Sequence, residues 1–161
     1  MSDFENSPYY ERVRPLIERD GYFIQHVFGD NTSIGYSYTY GLSKGADKRY
    51  PELAMGDMNP EAMNDILRSA VNDLKTGNFQ PEGTGFYDGV FGDCDVAVVP
   101  VKPEDSELLL PVEGPVYLLV IPDEENRFPW NEGCDPQFAR QTEGFAVMGV
   151  PQTRSSDFPT P

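Results

Sequence analysis

Histidine occurs once, tryptophan once and cysteine twice in the 161 residues. Two thiols and one imidazole make no four-ligand structural zinc site without carboxylates, and a Ser-His-Asp triad would have to be built on His26 alone. Basic residues are also scarce. Twelve Lys and Arg against 27 Asp and Glu leave a net charge of −15, a field that repels phosphate and excludes unassisted binding to nucleic acid or to an anionic membrane surface. The longest apolar run, Val116 to Ile121, falls far short of the roughly 20 residues that span a bilayer. Met1 to Ser7 has neither the positive region nor the apolar region of a secretory signal, so a soluble cytoplasmic protein with free thiols at Cys94 and Cys134 is expected. There is no Gly-x-Gly-x-x-Gly after a strand and no phosphate-loop lysine, which excludes nucleotide binding by those devices.

Glycine and proline are plentiful, fifteen of each, and forbid a helical bundle. With 39% hydrophobic residues, among them nine Tyr and ten Phe, the chain has the apolar bulk for one core. The expectation is a single α+β domain over residues 1–154, with a flexible Pro-rich tail at 155–161. A short N-terminal helix is read from Pro15 to a Gly21 cap, because a start further upstream would place Pro15 inside it. Tyr22–Phe28 and Ile34–Leu42 read as an antiparallel hairpin around the turn Gly29-Asp30-Asn31, and Leu53–Gly56 as a third strand. The main helix is declared by Asn59 as N-cap, Pro60 at the first position and Gly77 past the end. Within 60–76, Met63, Ile66, Leu67, Ala70, Val71 and Leu74 form one stripe to lay against a sheet. Phe79 to Gly92, rich in glycine, reads as irregular. Val96–Val101 and Val116–Ile121 complete a mainly antiparallel sheet of about five strands, the last apolar on both faces and so central.

Each polar residue of interest has a plain reading beside a functional one. On the hairpin strand Gly35, Ser37, Thr39 and Gly41 share one side, and such a face admits either close packing or a flat ligand. Glu52, where a loop enters a strand, either caps backbone N–H groups or projects a carboxylate into a cleft. His26 shares a strand face with Tyr22, Ile24 and Phe28, the setting of a satisfied core histidine rather than a general base. Cys94, between Asp93 and Asp95, has its thiolate disfavoured and makes a poor nucleophile. The carboxylates at 93–95, 104–107 and 123–125 lack the calcium-loop pattern and read as solvated charge. Arg127 and Trp130, around Phe128 and Pro129, either pin a loop to the sheet or clamp and stack on a ligand.

The run Tyr38-Thr39-Tyr40-Gly41-Leu42, then Tyr50-Pro51-Glu52-Leu53 and Met55-Gly56, resembles the Tyr-Thr-x-Gly-Leu … Pro-Glu-Leu … Gly pattern of the domain of unknown function 4262 family. Pro122-Asp123, Arg127-Phe128-Pro129-Trp130-Asn131 and Gln141 resemble its C-terminal block in the same order. Tyr50 stands where the family often has His, and Thr142 follows Gln141 where Pro is common. The resemblance implies a bacterial or phage protein, acting in the host cytoplasm if phage-encoded, and it brings no activity with it.

The spaced blocks single out Ser37, Thr39, Gly41, Glu52, Arg127 and Trp130 as a candidate binding site, with Glu52 paired to Arg127 as the architectural alternative. No catalytic residue, metal ligand or cofactor is assigned. Three functions follow: a non-catalytic module binding a small molecule or a protein, a small enzyme or flavin-type cofactor binder, and an acidic nucleic-acid mimic.

Overall fold

The computed structural model describes residues 5–45, 48–91, 94–108, 110–112 and 115–151; the expected tail at 155–161, Asp93 and the Cys94 side chain lie outside what it describes. Two three-stranded antiparallel meanders meet edge to edge in one six-stranded sheet of order β1-β2-β3-β6-β5-β4. The first comprises β1 (Phe23–Val27), β2 (Tyr36–Tyr40) and β3 (Glu52–Gly56). The second comprises β4 (Phe86–Phe91), β5 (Cys94–Val101) and β6 (Val116–Val120). Their junction, β3 beside β6, is the one parallel pairing, with Glu52 opposite Val116 and Ala54 opposite Leu118. A parallel neighbour requires a crossover. The chain supplies it between β3 and β4 with α2 (Pro60–Thr76) and the short α3 (Pro81–Thr84).

Helix α2 forms where its sequence signals stand. Asn59 Oδ1 accepts the Glu61 amide at 2.8 Å, Pro60 opens the first turn, and Gly77 closes the last at φ 85°, its N–H bonding back to Asp73 and Leu74. All six residues of the expected stripe are buried, against Leu53, Met55, Val96, Val98 and Leu119. On the opposite face Tyr36, Tyr38, Tyr40, Val99 and Leu118 pack under Val13 of α1 (Pro8–Asp20) and under Phe128 and Phe145 of the C-terminal segment.

Two expectations need correction. Helix α1 starts at Pro8, seven residues before Pro15: Ser7 caps it by accepting the Tyr10 amide at 3.2 Å, and Tyr10, Val13 and Ile17 pack on the sheet across the missing Pro15 N–H. The stretch expected to be irregular holds α3 and β4 over its described residues, because Phe86 and Tyr87 pair with Ala97 and Val96 of β5; a register shift between Tyr87 and Phe91 accommodates Gly89, and Gly92 lies outside the described residues. The sheet thus has six strands, close to the about five expected.

Leu67, fully buried mid-stripe, tests the helix assignment. Leu67→Ala should cost about 2–5 kcal/mol in chemical denaturation, whereas exposed Asn72→Ala on the same helix should stay within about 0.5 kcal/mol.

Candidate functional site

Three of the sequence-selected residues come together around one buried carboxylate. Glu52 is 1% exposed and accepts five hydrogen bonds. Thr39 Oγ1 and the Leu42 amide reach Oε1 at 2.8 and 3.2 Å, and the Gly41 and Ser43 amides and Ser43 Oγ reach Oε2 at 3.2, 3.1 and 2.7 Å. Gly41 turns the chain here at φ 114°, and a Cβ on it would lie 2.9 Å from the Gly21 carbonyl, so glycine is required by conformation and by space. Thr39 Oγ1 also accepts the Leu53 amide at 2.9 Å. Burial pushes the Glu52 pKa up, while the donors from Ser43, Thr39 and Gly41 pull it down. The cap on backbone N–H groups is the reading realised.

Arg127 and Trp130 belong to a second cluster. Asp123, counted from the sequence as solvated charge, is 4% exposed. Its Oδ1 accepts the Glu125 and Arg127 amides, both at 2.9 Å, and its Oδ2 accepts the Asp135 amide at 2.9 Å and Arg127 Nε at 3.0 Å. Burial alone would raise its pKa; these donors and the guanidinium hold it down at about 2. Trp130 stacks on Phe128 with ring centroids 5.1 Å apart and planes 5° from parallel, and packs on the tyrosine face of the sheet. This loop is pinned from within.

The two clusters do not meet. Glu52 lies at the start of the parallel β3–β6 pair, opposite Val116, whereas Asp123 follows the far end of β6. Among the described residues no hydrogen bond or ion pair joins them, so the weighed pairing of Glu52 with Arg127 is replaced by Arg127 with Asp123. Gln141, in the same region, holds the end of β6: its Nε2 donates to the Ile121 carbonyl at 2.7 Å and its Oε1 accepts the Ile121 amide at 2.8 Å.

The sixth selected residue, Ser37, is fully buried beside β1 and leads to a cleft. Its Oγ lies 2.5 Å from His26 Nδ1, opposite it in the hairpin register, and the Asn64 side chain lines the same cleft as the ring. Ser37 holds the ring from the sheet side. Burial lowers the His26 pKa, the charge of Arg68 adds to that, and the Asn64 side chain opposes it. His26, Pro60, Glu61, Asn64 and Asp65 line a cleft of about 370 Å³ between β1 and the first turns of α2. A second cleft, of about 410 Å³, lies over Val98, Pro100 and Tyr117 and is largely apolar. Among the described residues no group of three or more His, Cys, Asp or Glu is placed to hold a metal ion. Cys134 is a free thiol whose pKa burial and Asp123 push up, which leaves it unreactive.

Residues 16–135 match the family described as Domain of unknown function (DUF4262). The chain belongs to the DUF4262 family. No curated protein and no solved structure matches it. The DUF4262 match contains the Glu52 cluster, the His26 cleft and the Asp123 loop, while Gln141 lies beyond it. Among the described residues of this DUF4262 chain no helix is long and apolar enough to cross a membrane. Sequence reasoning missed Asp123 and Asn64. The signal for Asp123 was its place directly after a central strand, where a carboxylate can collect the amides of the following turn; Asn64 sits one helical turn beyond the N-cap and only the packing of α2 on β1 brings it to His26.

Two predictions follow from the buried carboxylates. Glu52→Gln sets an amide NH₂ against donors and should cost about 3 kcal/mol or more, since each buried donor left without an acceptor costs about 1–3 kcal/mol; exposed Glu61→Gln serves as the control in the same denaturation series. The Asp123 pKa is depressed, so its stabilisation is full above the unfolded value of about 3.9 and is lost as pH falls toward 2. Trp130, the only tryptophan, should shift its fluorescence across that window, and Asp123→Asn should show the shifted emission already at pH 7.

Proposed function

We propose that this chain is a non-catalytic binding module whose ligand site is the cleft between β1 and α2. The observation that carries this reading is His26, held by Ser37 at the wall of a cleft that Asn64 also lines and that the carboxylates of Glu61 and Asp65 flank. A volume of about 370 Å³ suits a small molecule or a single side chain of a protein. The lining carries the carboxylates of Glu61 and Asp65 and the amide of Asn64, so the ligand it fits is a donor: an amine, an amidine or a guanidinium. Ser37 acts as the positioning residue for the ring.

The enzyme reading has less behind it. Ser37 is the hydroxyl on the histidine, and its full burial keeps it from any substrate. The Gly/Ser/Thr side of β2, the floor a flavin-type cofactor would need, lies buried, with Thr39 turned to Glu52. Nucleic-acid mimicry calls for a regular outward array of carboxylates, and Glu52 and Asp123 face inward.

An NMR titration with small amines, guanidines and uncharged amides tests the proposal. Amide shifts confined to His26, Glu61, Asn64 and Asp65, abolished in an E61Q/D65N variant, are the expected outcome. Shifts centred on Val98 and Tyr117, or no saturable shift with any donor, would overturn it.

A further inference from the structure

Strand β1 forms one edge of the sheet, and antiparallel alternation decides which of its backbone groups face outward. The Asp57 amide donates to the Gly35 carbonyl at 2.8 Å, so β2 bonds to β3 through the 35/57 and 37/55 pairs. Residues 36, 38 and 40 of β2 therefore bond toward β1, where they meet Val27, Gln25 and Phe23. Left on the outer edge are the backbones of Ile24 and His26. Among the described residues nothing bonds to the Ile24 N–H, the Ile24 carbonyl or the His26 N–H; the His26 carbonyl takes Gln25 Nε2 at 3.0 Å, which leaves Gln25 Oε1 buried without a partner.

The surroundings suit a visitor. Phe28, directly after the strand, is 81% exposed. From Tyr22 to Gly29 there is no Lys, Arg, Asp or Glu, in a chain where such residues make up 24%. Edge strands that stay unpaired are ordinarily blunted by charge, proline or a bulge, and β1 has only the Gln25 side chain over one carbonyl. On the α2 side the edge borders the cleft with Glu61 and Asp65.

We infer that the outer edge of β1 accepts an extended segment of a partner protein bearing lysine or arginine, which adds as a further strand, covers Phe28 and sets a basic side chain in the cleft beside His26. The backbone supplies the bonds and alternate side chains the specificity. Charge selects the occupant: a net −15 draws in a basic segment and repels a second copy carrying the same −15. The inference rests on the cleft as a binding site and adds the edge to it.

Three N-acetylated octapeptides test it: one alternating lysine and valine, the same with a central valine replaced by proline, and one alternating glutamate and valine. The Lys/Val peptide should slow amide hydrogen exchange at Ile24 and His26 by about tenfold or more, with the protection falling as salt rises. Phe28→Ser, a change at an exposed position, should weaken the protection without loss of fold. Unchanged exchange at both amides, equal protection by the proline-interrupted peptide, or protection that rises with protein concentration alone would each overturn the inference. The failures separate: peptide-induced shifts at Glu61 and Asn64 with unaltered Ile24 exchange remove the strand addition and keep the cleft, and shifts at neither place remove both.

Discussion

Glu52 is a carboxylate buried without a cation, and the centre of the sheet is assembled around it. Its side chain gathers three amides and two hydroxyls from the end of β2 and the turn after it, and its own N–H donates to the Pro115 carbonyl at 3.0 Å, where β6 begins. One residue thus joins the first meander to the second at the point where they run parallel. Backbone amides in a turn have no ladder partner and would be costly to bury; the carboxylate lets this turn be buried against the core. The five donors in turn offset part of the desolvation, which still leaves the Glu52 pKa raised.

The same solution recurs at the other end of β6, where Asp123 collects the amides of its own loop and adds Arg127. In a chain with 27 acidic and 12 basic residues, carboxylates outnumber the cations that could pair with them, and the buried ones are satisfied mostly by backbone N–H. Away from the two ends of the junction, where the carboxylates are closed by inward hydrogen bonds, His26, Asn64, Glu61 and Asp65 line a cleft where α2 begins over β1.

How far the chain could be read beforehand follows from where each signal resides. Asn59, Pro60 and Gly77 act on their own helix, and the Met63-to-Leu74 stripe depends only on helical period, so α2 appears where expected. The hairpin is equally local. Helix α1 was misjudged at its start because Pro15 opposes helix locally, while the packing of Tyr10, Val13 and Ile17 on the sheet outweighs one lost hydrogen bond. Strand β4 was overlooked for the converse reason: its glycine-rich sequence has little strand preference, and pairing with β5 imposes the conformation. Of the candidate site, Thr39, Gly41 and Glu52 were recognisable as a group because they flank one turn in sequence. Their separation from Arg127 and Trp130 was not recognisable, since it depends on which strand β3 adopts as its neighbour.

The sequence by itself determined the elements whose causes lie within a few residues, the capped helix, the hairpin with its tyrosine face and the apolar central strand, together with the net acidity of the chain. Tertiary structure alone decided the parallel joining of the two meanders, the burial of Asp123, the gathering of Ser37, His26 and Asn64 between β1 and α2, and the place of β1 at the edge of the sheet. The physical reason is range. Caps, period and charge act along neighbouring residues or as a sum over the chain, whereas the identity of a carboxylate's donors is settled only when segments distant in sequence compete for the same place in the sheet.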